Sequence, residues 1–250
     1  PKDGLVALDK DRSKKLLIET NTNEPVPAAY LLGDWITKLK GKKVAIVGNQ
    51  TSVVKTSDTV VSKEWNTKDM LRYEHLVDTL IAHGIDIKRV FAPEHGFRGT
   101  ADAGTTIRDG IDAETGIPII SLYGKNKKPL QKQLEDVDVV LFDIQDVGAR
   151  FYTYISTLHY VMEACAEYNR KLIVLDRPNP NGHYIDGPIL EEQHQSFVGM
   201  HPVPVVHGMT IGEYALMING EQWLDKNLQT DLEVIKCYNY THDSSYSCPL

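Results

Sequence analysis

The feature that most constrains the fold of this chain is an alternation of short apolar runs, rich in β-branched residues, with amphipathic segments of helical period. Parallel strands joined by crossover helices form sheets covered on both faces, so such strands are nearly continuous apolar runs. The alternation therefore predicts an α/β fold with a parallel or mostly parallel sheet and helices on both faces. We expect strands near residues 44–47, 87–91, 117–122, 137–142, 172–175 and 203–206, and helices near residues 28–39, 69–83, 130–134, 155–168 and 211–218.

Length and charge narrow the classes of partner. The chain has 250 residues, of which 42% are hydrophobic, and this is enough to bury one substantial core. A net charge of −7, without a basic stripe, argues against a nucleic-acid partner. No apolar stretch approaches the ~20 residues that cross a bilayer, so we expect no transmembrane segment. The sequence has no dinucleotide-binding or phosphate-loop motif, and we expect no cofactor.

Each expected strand ends in a cluster of polar residues. The carboxyl ends of parallel strands lie along one edge of a sheet, where open α/β proteins bind their ligands. The six clusters should therefore converge on one crevice. One residue marks each cluster in turn: Asn49, Glu94, Tyr123, Asp146, Arg177 and His207.

The cluster at residues 94–99 places a carboxylate, an imidazole and a guanidinium close together, from Glu94, His95 and Arg98. Its glycines allow the backbone to turn tightly against a ligand. A carboxyl group at the end of a buried strand is a candidate general acid, because desolvation raises carboxyl pKa values. Alternatively, Glu94 and Arg98 form a surface ion pair and the glycines serve a turn.

The cluster at residues 143–154 contains two carboxylates, of which only one need face the crevice. Asp143 and Asp146 fall on opposite sides of a strand, since side chains alternate, and Arg150 can neutralise the one that faces the site. Tyr152 lies among aromatic residues whose flat faces either stack on sugar rings or cap the core.

The remaining clusters admit both a functional and a structural interpretation. Two prolines hold Arg177 and Asn179 in set directions, as in a binding site or in a simple turn. His207 is either a site residue or a hydrogen-bonded structural histidine. Carboxylate and imidazole groups at strand ends are weak evidence for a metal site, and we expect none. The residues that such a site would use are His95, Asp143, Asp146, Asp176 and His207.

Four strings carry a family resemblance: FAPEHGFRG at residues 91–99, FDIQDVGARFYTY at 142–154, LDRPNP at 175–180 and HGMTIGE at 207–213. In this order they resemble the NamZ-like exo-β-N-acetylmuramidases, a glycoside hydrolase family formerly catalogued as a domain of unknown function. The resemblance runs from about residue 39 to the C-terminus. It implies a Rossmann-like N-terminal domain, with the active-site cleft at the carboxyl ends of its strands, and a smaller C-terminal domain.

The resemblance also implies a division of the chain and a biological setting. We assign residues 1–26 to an N-terminal arm, residues 27–231 to the Rossmann-like catalytic domain, and residues 232–250 to the start of a truncated C-terminal domain, whose missing part is then a partner. The family releases terminal N-acetylmuramic acid from peptidoglycan fragments. The implied protein is a bacterial glycosidase of cell wall recycling, periplasmic or secreted, whose substrates are peptidoglycan-derived muramic acid glycosides.

By this resemblance Glu94 is the leading catalytic carboxylate, and we add His95 and Asp146 to the catalytic set. The second catalytic group is Asp146, Asp143 or the acetamido group of the substrate itself. Guanidinium groups bind carboxylates bidentately, so the three arginines are expected to bind the lactyl carboxylate of muramic acid. The expected substrate-binding residues are Asn49, Arg98, Tyr123, Arg150, Tyr152, Arg177, Asn179 and His207.

Two functions of other classes stay open at this point. The first is a metal-assisted amidase or esterase on a cell-wall or amino-sugar substrate, in which Glu94 and His95 activate water. The second is a non-catalytic peptidoglycan-binding module that keeps the cleft without turnover.

Overall fold

A computed structural model of the chain describes residues 24–57, 71–99 and 109–248. Within these residues, helices and strands alternate as an α/β fold requires. The strands are β1 (Lys43–Gly48), β2 (Val53–Ser57), β3 (Leu71–His75), β4 (Asp86–Ala92), β5 (Gly110–Ile111), β6 (Pro118–Ser121), β7 (Val139–Asp143), β8 (Lys171–Leu175) and β9 (Leu232–Ile235). The α-helices are α1 (Leu32–Trp35), α2 (Leu76–Ala82), α3 (Tyr154–Glu167) and α4 (Ile211–Gly220), and 3₁₀ turns occupy Ala28–Tyr30, Ile36–Leu39, Gln131–Gln133, Glu192–His194 and Asp225–Asn227.

Seven of these strands form one sheet, in the order β5-β6-β4-β1-β7-β8-β9. Neighbouring strands are parallel except for β5 and β6, so the mostly parallel sheet is confirmed. The chain builds outward from β1 to β4 and β6 on one side, and then returns to build β7, β8 and β9 on the other. The order of the strands therefore reverses between β1 and β7, and the carboxyl ends of strands at such a reversal are where open α/β sheets bind their ligands.

Apolar side chains of the central strands enter two core layers, one on each face of the sheet. Along β1 the side chains alternate: Val44 and Ile46 pack in one layer, and Ala45 and Val47 pack in the other. Helices α1 and α2 close the first layer, and α3 and α4 close the second. Helices on both faces are thereby confirmed, and the edge at the strand ends is left for polar loops.

The segment at residues 69–83 is not the single helix that its spacing predicts. Leu71–His75 is strand β3, which pairs antiparallel with β2 in a separate two-stranded ribbon. His75 ends this strand and caps α2, because its Nδ1 accepts a hydrogen bond of 3.3 Å from the backbone N–H of Val77. Pairing with β2 is a contact between distant parts of the sequence, which local periodicity does not reveal. Residues 69 and 70 lie outside the described residues.

Residues 203–206 do not form a strand of the sheet. Val206 instead makes isolated antiparallel bridges to Ala149 and Asp186. His207 therefore reaches the crevice through the loop that follows β7, to which its backbone N–H donates at the carbonyl of Gly148 (3.3 Å).

The sheet also extends past residue 231, where we expected the catalytic domain to end. Strand β9 pairs with β8 along its length, and its half-buried pattern interrupts an apolar run with Glu233. Val26, which we assigned to the arm, is buried and pairs with Tyr238. Within the described ranges, every helix is too short or too polar to cross a bilayer.

Candidate active site

Hydrogen bonds join the loops that follow β1 and β7 at the crevice. The Thr51 hydroxyl donates to Oδ1 of Asn49 (2.6 Å) and accepts from the backbone N–H of Gln145 (2.9 Å). Asn49 is fully buried, and its carbonyl oxygen accepts a hydrogen bond of 3.0 Å from Nε2 of His75. Asn49 thus lies at the expected end of β1, where it holds two loops together.

Glu94 is half-buried at the end of β4 and accepts a hydrogen bond from a hydroxyl group. Oγ1 of Thr153, at the start of α3, donates to Oε2 of Glu94 at 2.9 Å. Tyr123, on the loop after β6, lies close enough to Glu94 for their interaction to raise the pKa of the tyrosine. The residue that begins α3 therefore orients a carboxyl group that solvent still reaches. A group placed in this way can exchange a proton with a bound ligand.

The backbone turns sharply just after Glu94. His95 has φ 71°, a left-handed conformation that is strained for a residue with a side chain, and Gly96 follows with φ 81°. Phe97 anchors this turn, because it is buried and packs edge-on to the ring of His75 with centroids 4.4 Å apart. Strain of this kind persists only where the surroundings enforce it, and it is concentrated at functional sites.

The guanidinium of Arg98 is paired with two carboxylates outside its own loop. Its guanidinium donates to both carboxylate oxygens of Asp78 (2.9 and 2.8 Å) and to both of Asp112 (each 2.8 Å). The bond from Arg98 lowers the pKa of Asp112 to about 2. Arg98 therefore fastens the Glu94 loop to α2 and to the segment after β5, and its expected contact with substrate stays a prediction.

Arg177 lies in the interior and is 1% exposed. Its Nε and one terminal nitrogen donate to the two carboxylate oxygens of Asp143 (2.6 and 2.8 Å), and the same terminal nitrogen donates to the carbonyl of Val53 (3.2 Å). Asp143 is fully buried. Asp143 therefore fills the fork of Arg177 beneath the crevice, and the expected contact of Arg177 with substrate stays a prediction.

Asp146 and His207 form a second, buried pair at the crevice. Oδ2 of Asp146 accepts from the backbone N–H of Gly148 (2.8 Å) and lies 3.8 Å from Nε2 of His207. Burial raises the pKa of Asp146 to about 7 and lowers that of His207 to about 4. The ring proton of neutral His207 lies on Nε2, because Nδ1 accepts from the backbone N–H of Met209 (3.2 Å). Among the described residues, Oδ1 of Asp146 and Nε2 of His207 have no hydrogen-bond partner.

Stability should fall with rising pH because of Asp146. Its pKa in the folded protein, about 7, is above the ordinary value of 3.8, so folding favours the protonated form. The destabilisation is therefore absent below about pH 4 and complete above about pH 7. Asp146→Asn should remove this part of the pH dependence, and melting temperatures of both proteins measured between pH 4 and 8 test it. Parallel curves for the two proteins would contradict the assignment.

Asn179 holds the loops together. Its Nδ2 donates to the carbonyl of Met209 (2.8 Å), and its Oδ1 accepts from the backbone N–H of Asn181 (2.8 Å). The amide packs directly against Gly148, where a Cβ atom would collide with it. Gly148 also has φ 73°, so glycine is required there on two grounds.

Arg150 and Tyr152 differ from the other expected binding residues in what surrounds them. Arg150 donates to the carbonyls of Pro188 (2.8 Å) and Val203 (2.5 Å), and within the described part of the chain it has no carboxylate partner. Tyr152 is 44% exposed and lies beside Phe151, which is 55% exposed, with ring centroids 5.8 Å apart. An unneutralised guanidinium and an open aromatic pair thus precede Thr153, which contacts Glu94.

Sequence reasoning did not select Thr153, and it considered Tyr154 only as one of the aromatic residues in the string after Asp146. Burial raises the pKa of Tyr154 to about 12, and Asn49, Glu94 and Asp146 are close enough to shift it as well. Tyr154 therefore lies near the loops after β1, β4 and β7. The sequence signal that points to Thr153 and Tyr154 is their position at the start of a helix that begins at the edge of the sheet.

Asn49, Glu94, Tyr123 and Asp146 follow β1, β4, β6 and β7, parallel strands whose carboxyl ends share one edge of the sheet, and His207 lies 3.8 Å from Asp146. In the described part of the chain, no group of three or more His, Cys, Asp or Glu residues is arranged to hold a metal ion.

Comparisons with known proteins agree with this architecture. The family model described as "Exo-beta-N-acetylmuramidase NamZ, N-terminal" matches residues 44–249. Over 207 residues the chain is 44% identical to the peptidoglycan beta-N-acetylmuramidase NamZ of Bacillus subtilis (strain 168). The matched region covers 82% of this chain and 45% of that protein. Two crystal structures of DUF1343 family proteins from Bacteroides fragilis NCTC 9343 match with TM-scores of 0.75 and 0.74, at 42% and 36% identity.

Each of these two structures covers 90% of this chain, and the chain covers 55% and 53% of them, respectively. The chain thus spans about half the length of the relatives that it matches. Because the family model covers most of the sequence, the chain belongs to the family of the N-terminal part of exo-beta-N-acetylmuramidase NamZ.

Proposed function

We propose that this chain carries the catalytic groups of an exo-acting β-N-acetylmuramidase, and that the whole protein releases terminal N-acetylmuramic acid from peptidoglycan fragments. The observation that carries the proposal is the carboxyl group of Glu94, which is accessible, is oriented by the hydroxyl of Thr153 and lies near Tyr123 at the carboxyl edge of the sheet. Family membership and the name of the Bacillus subtilis relative support the choice of substrate.

Cleavage of a glycosidic bond requires an acid that protonates the leaving oxygen. Glu94 takes this role in our proposal, because the hydroxyl of Thr153 holds its carboxyl group in one orientation without burying it. His95, in its strained conformation, directs the loop that carries this acid.

A second group must manage the positive charge that develops on the sugar ring. Asp143 is unsuited to this role, because both of its oxygens accept from Arg177. Asp146 is better placed, because its Oδ1 is free of partners among the described residues and it lies beside His207. We therefore propose Asp146 as the second carboxylate, with His207 as its neutral neighbour.

Recognition of the lactyl carboxylate falls to Arg150 in this proposal. Arg98 and Arg177 are each paired with carboxylates of the protein, whereas the described partners of Arg150 are carbonyl oxygens. A guanidinium without a carboxylate partner retains the charge and the donors that bind a ligand carboxylate. Phe151 and Tyr152 supply exposed rings on which a sugar can stack.

The substrate also indicates where the protein acts and what surrounds the cleft. We propose a periplasmic or secreted location, since peptidoglycan fragments occur outside the cytoplasmic membrane. We also propose that a smaller C-terminal domain of the same protein completes the cleft, because the relatives are about twice as long as the part matched here.

Two chromogenic substrates test the proposal on the full-length protein. We expect hydrolysis of an N-acetylmuramic acid β-glycoside and much slower hydrolysis of the N-acetylglucosamine equivalent, because only the former carries the lactyl carboxylate. A metal chelator should leave the rate unchanged. Equal rates on both sugars would contradict the proposed recognition, and activity lost to the chelator would favour a metal-assisted hydrolase.

A further inference from the structure

A network of buried hydrogen bonds, called here the histidine network, lies behind the crevice, between α3 and the residues that lead into α4. His159 and His201 are 5% and 2% exposed, and Nδ1 of His159 lies 2.9 Å from Nε2 of His201. Nδ1 of His201 in turn lies 3.0 Å from the hydroxyl of Tyr214, which is fully buried. Sequence patterns assigned no role to His159, and the roles proposed above for Glu94 and Asp146 use none of these three side chains.

The carboxylate of Glu163 determines which atom donates and which accepts in each hydrogen bond of the histidine network. Oε2 of Glu163, one turn along α3, lies 3.3 Å from Nε2 of His159, and Lys128 pairs with Glu163 from the outer side. Nε2 of His159 therefore carries a proton, which leaves Nδ1 as an acceptor for N–H of His201. Nδ1 of His201 must then accept from the hydroxyl of Tyr214.

The three groups are neutral near pH 7. Burial lowers the pKa of His201 to about 3, and burial also lowers that of His159, against the charge of Glu163. Burial raises the pKa of Tyr214. Trp223 stacks on the ring of His201 with centroids 4.7 Å apart and so fixes its plane. The histidine network thus fixes the orientation of its side chains without carrying a net charge.

The histidine network contacts His207 through Tyr214. The ring of Tyr214 packs edge-on to that of His207, with centroids 4.9 Å apart and an interplanar angle of 67°. The backbone N–H of Met209 holds the other side of the imidazole through Nδ1, so Nε2–H points toward Asp146. Tyr214 therefore limits rotation of the one ring that faces the proposed second carboxylate.

We propose that Tyr214 is a positioning residue, held by His201, His159 and Glu163, that fixes the ring of His207 beside Asp146. This proposal rests on the proposed function insofar as it concerns turnover. The tautomer and the rigidity of His207 do not depend on that function, so they can be tested separately.

Tyr214→Phe keeps the ring but removes the hydroxyl that fastens it to His201, so the ring is no longer held against His207. In the full-length protein we expect kcat on the chromogenic muramic acid substrate to fall by about tenfold, the equivalent of one hydrogen bond, with KM nearly unchanged. Tyr160→Phe is the matched control, because Tyr160 packs edge-on to His159 but its hydroxyl makes none of the hydrogen bonds of the histidine network. This control should keep the original kcat.

Nitrogen-15 NMR of histidine-labelled protein separates positioning from stability. In the unsubstituted protein His207 should give one neutral tautomer, with the proton on Nε2, and in Tyr214→Phe its signals should broaden or become a mixture. A substituted protein that has lost stability but keeps the original kcat and the original His207 spectrum would overturn the proposal, as would a reduced kcat with that spectrum unchanged. If the full-length protein cleaves neither sugar but the His207 signals change, the proposed function fails and the positioning role stands.

Discussion

Replacing Glu94 by glutamine should lower kcat on a muramic acid β-glycoside by on the order of 10²-fold or more. The amide keeps the shape of the side chain and can still accept from Thr153, so the loop should stay in place. What it loses is the proton that the leaving oxygen needs in the transition state. KM should therefore change little, and steady-state kinetics on the full-length protein give both constants.

Glu221→Gln makes the same chemical change at an exposed position after α4 and serves as the control. It should leave both constants unchanged. A Glu94→Gln enzyme with the original kcat would remove Glu94 as the acid. A large rise in KM at constant kcat would instead make it a residue that binds the ground state.

Much of the architecture could be predicted from the sequence, because the signals that produce it are local. The central strands are short apolar runs buried on both faces, and parallel pairing places their carboxyl ends at one edge without further information. Glu94 and Asp146 could be located in this way before any contact was known. Strand β3 could not, because it forms only by pairing with β2 outside the sheet.

The roles of the arginines show where such reasoning ends. A sequence displays a charge at a strand end but not the group that neutralises it, and the partners of Arg98 and Arg177 lie many positions away along the chain. His207 is a related case. It reaches Asp146 through bridges between loops, rather than through the strand that its neighbours resemble.

Removing the guanidinium of Arg177 should be among the most destabilising changes in the protein. Arg177→Met leaves the fully buried carboxylate of Asp143 without its partner, which costs about 3–5 kcal/mol in the free energy of unfolding. The double variant Arg177→Met with Asp143→Leu should recover much of this loss, because two apolar side chains then replace both charges. Urea unfolding of the two single variants and the double variant measures the coupling between the residues. If the single and double variants are equally unstable, the pair contributes nothing specific.

Arg177→Lys tests the same position under conditions where the protein still folds. Lysine keeps the charge but loses the planar fork, so stability should fall less than in Arg177→Met. Since Arg177 lies beneath the crevice, any loss of activity should be equal on the muramic acid and glucosamine substrates. Arg150→Gln should behave differently, raising KM for the muramic acid substrate while sparing residual action on the other. A selective loss with Arg177→Lys would mean that its guanidinium leaves Asp143 to bind the lactyl carboxylate, and the burial of this pair argues against that.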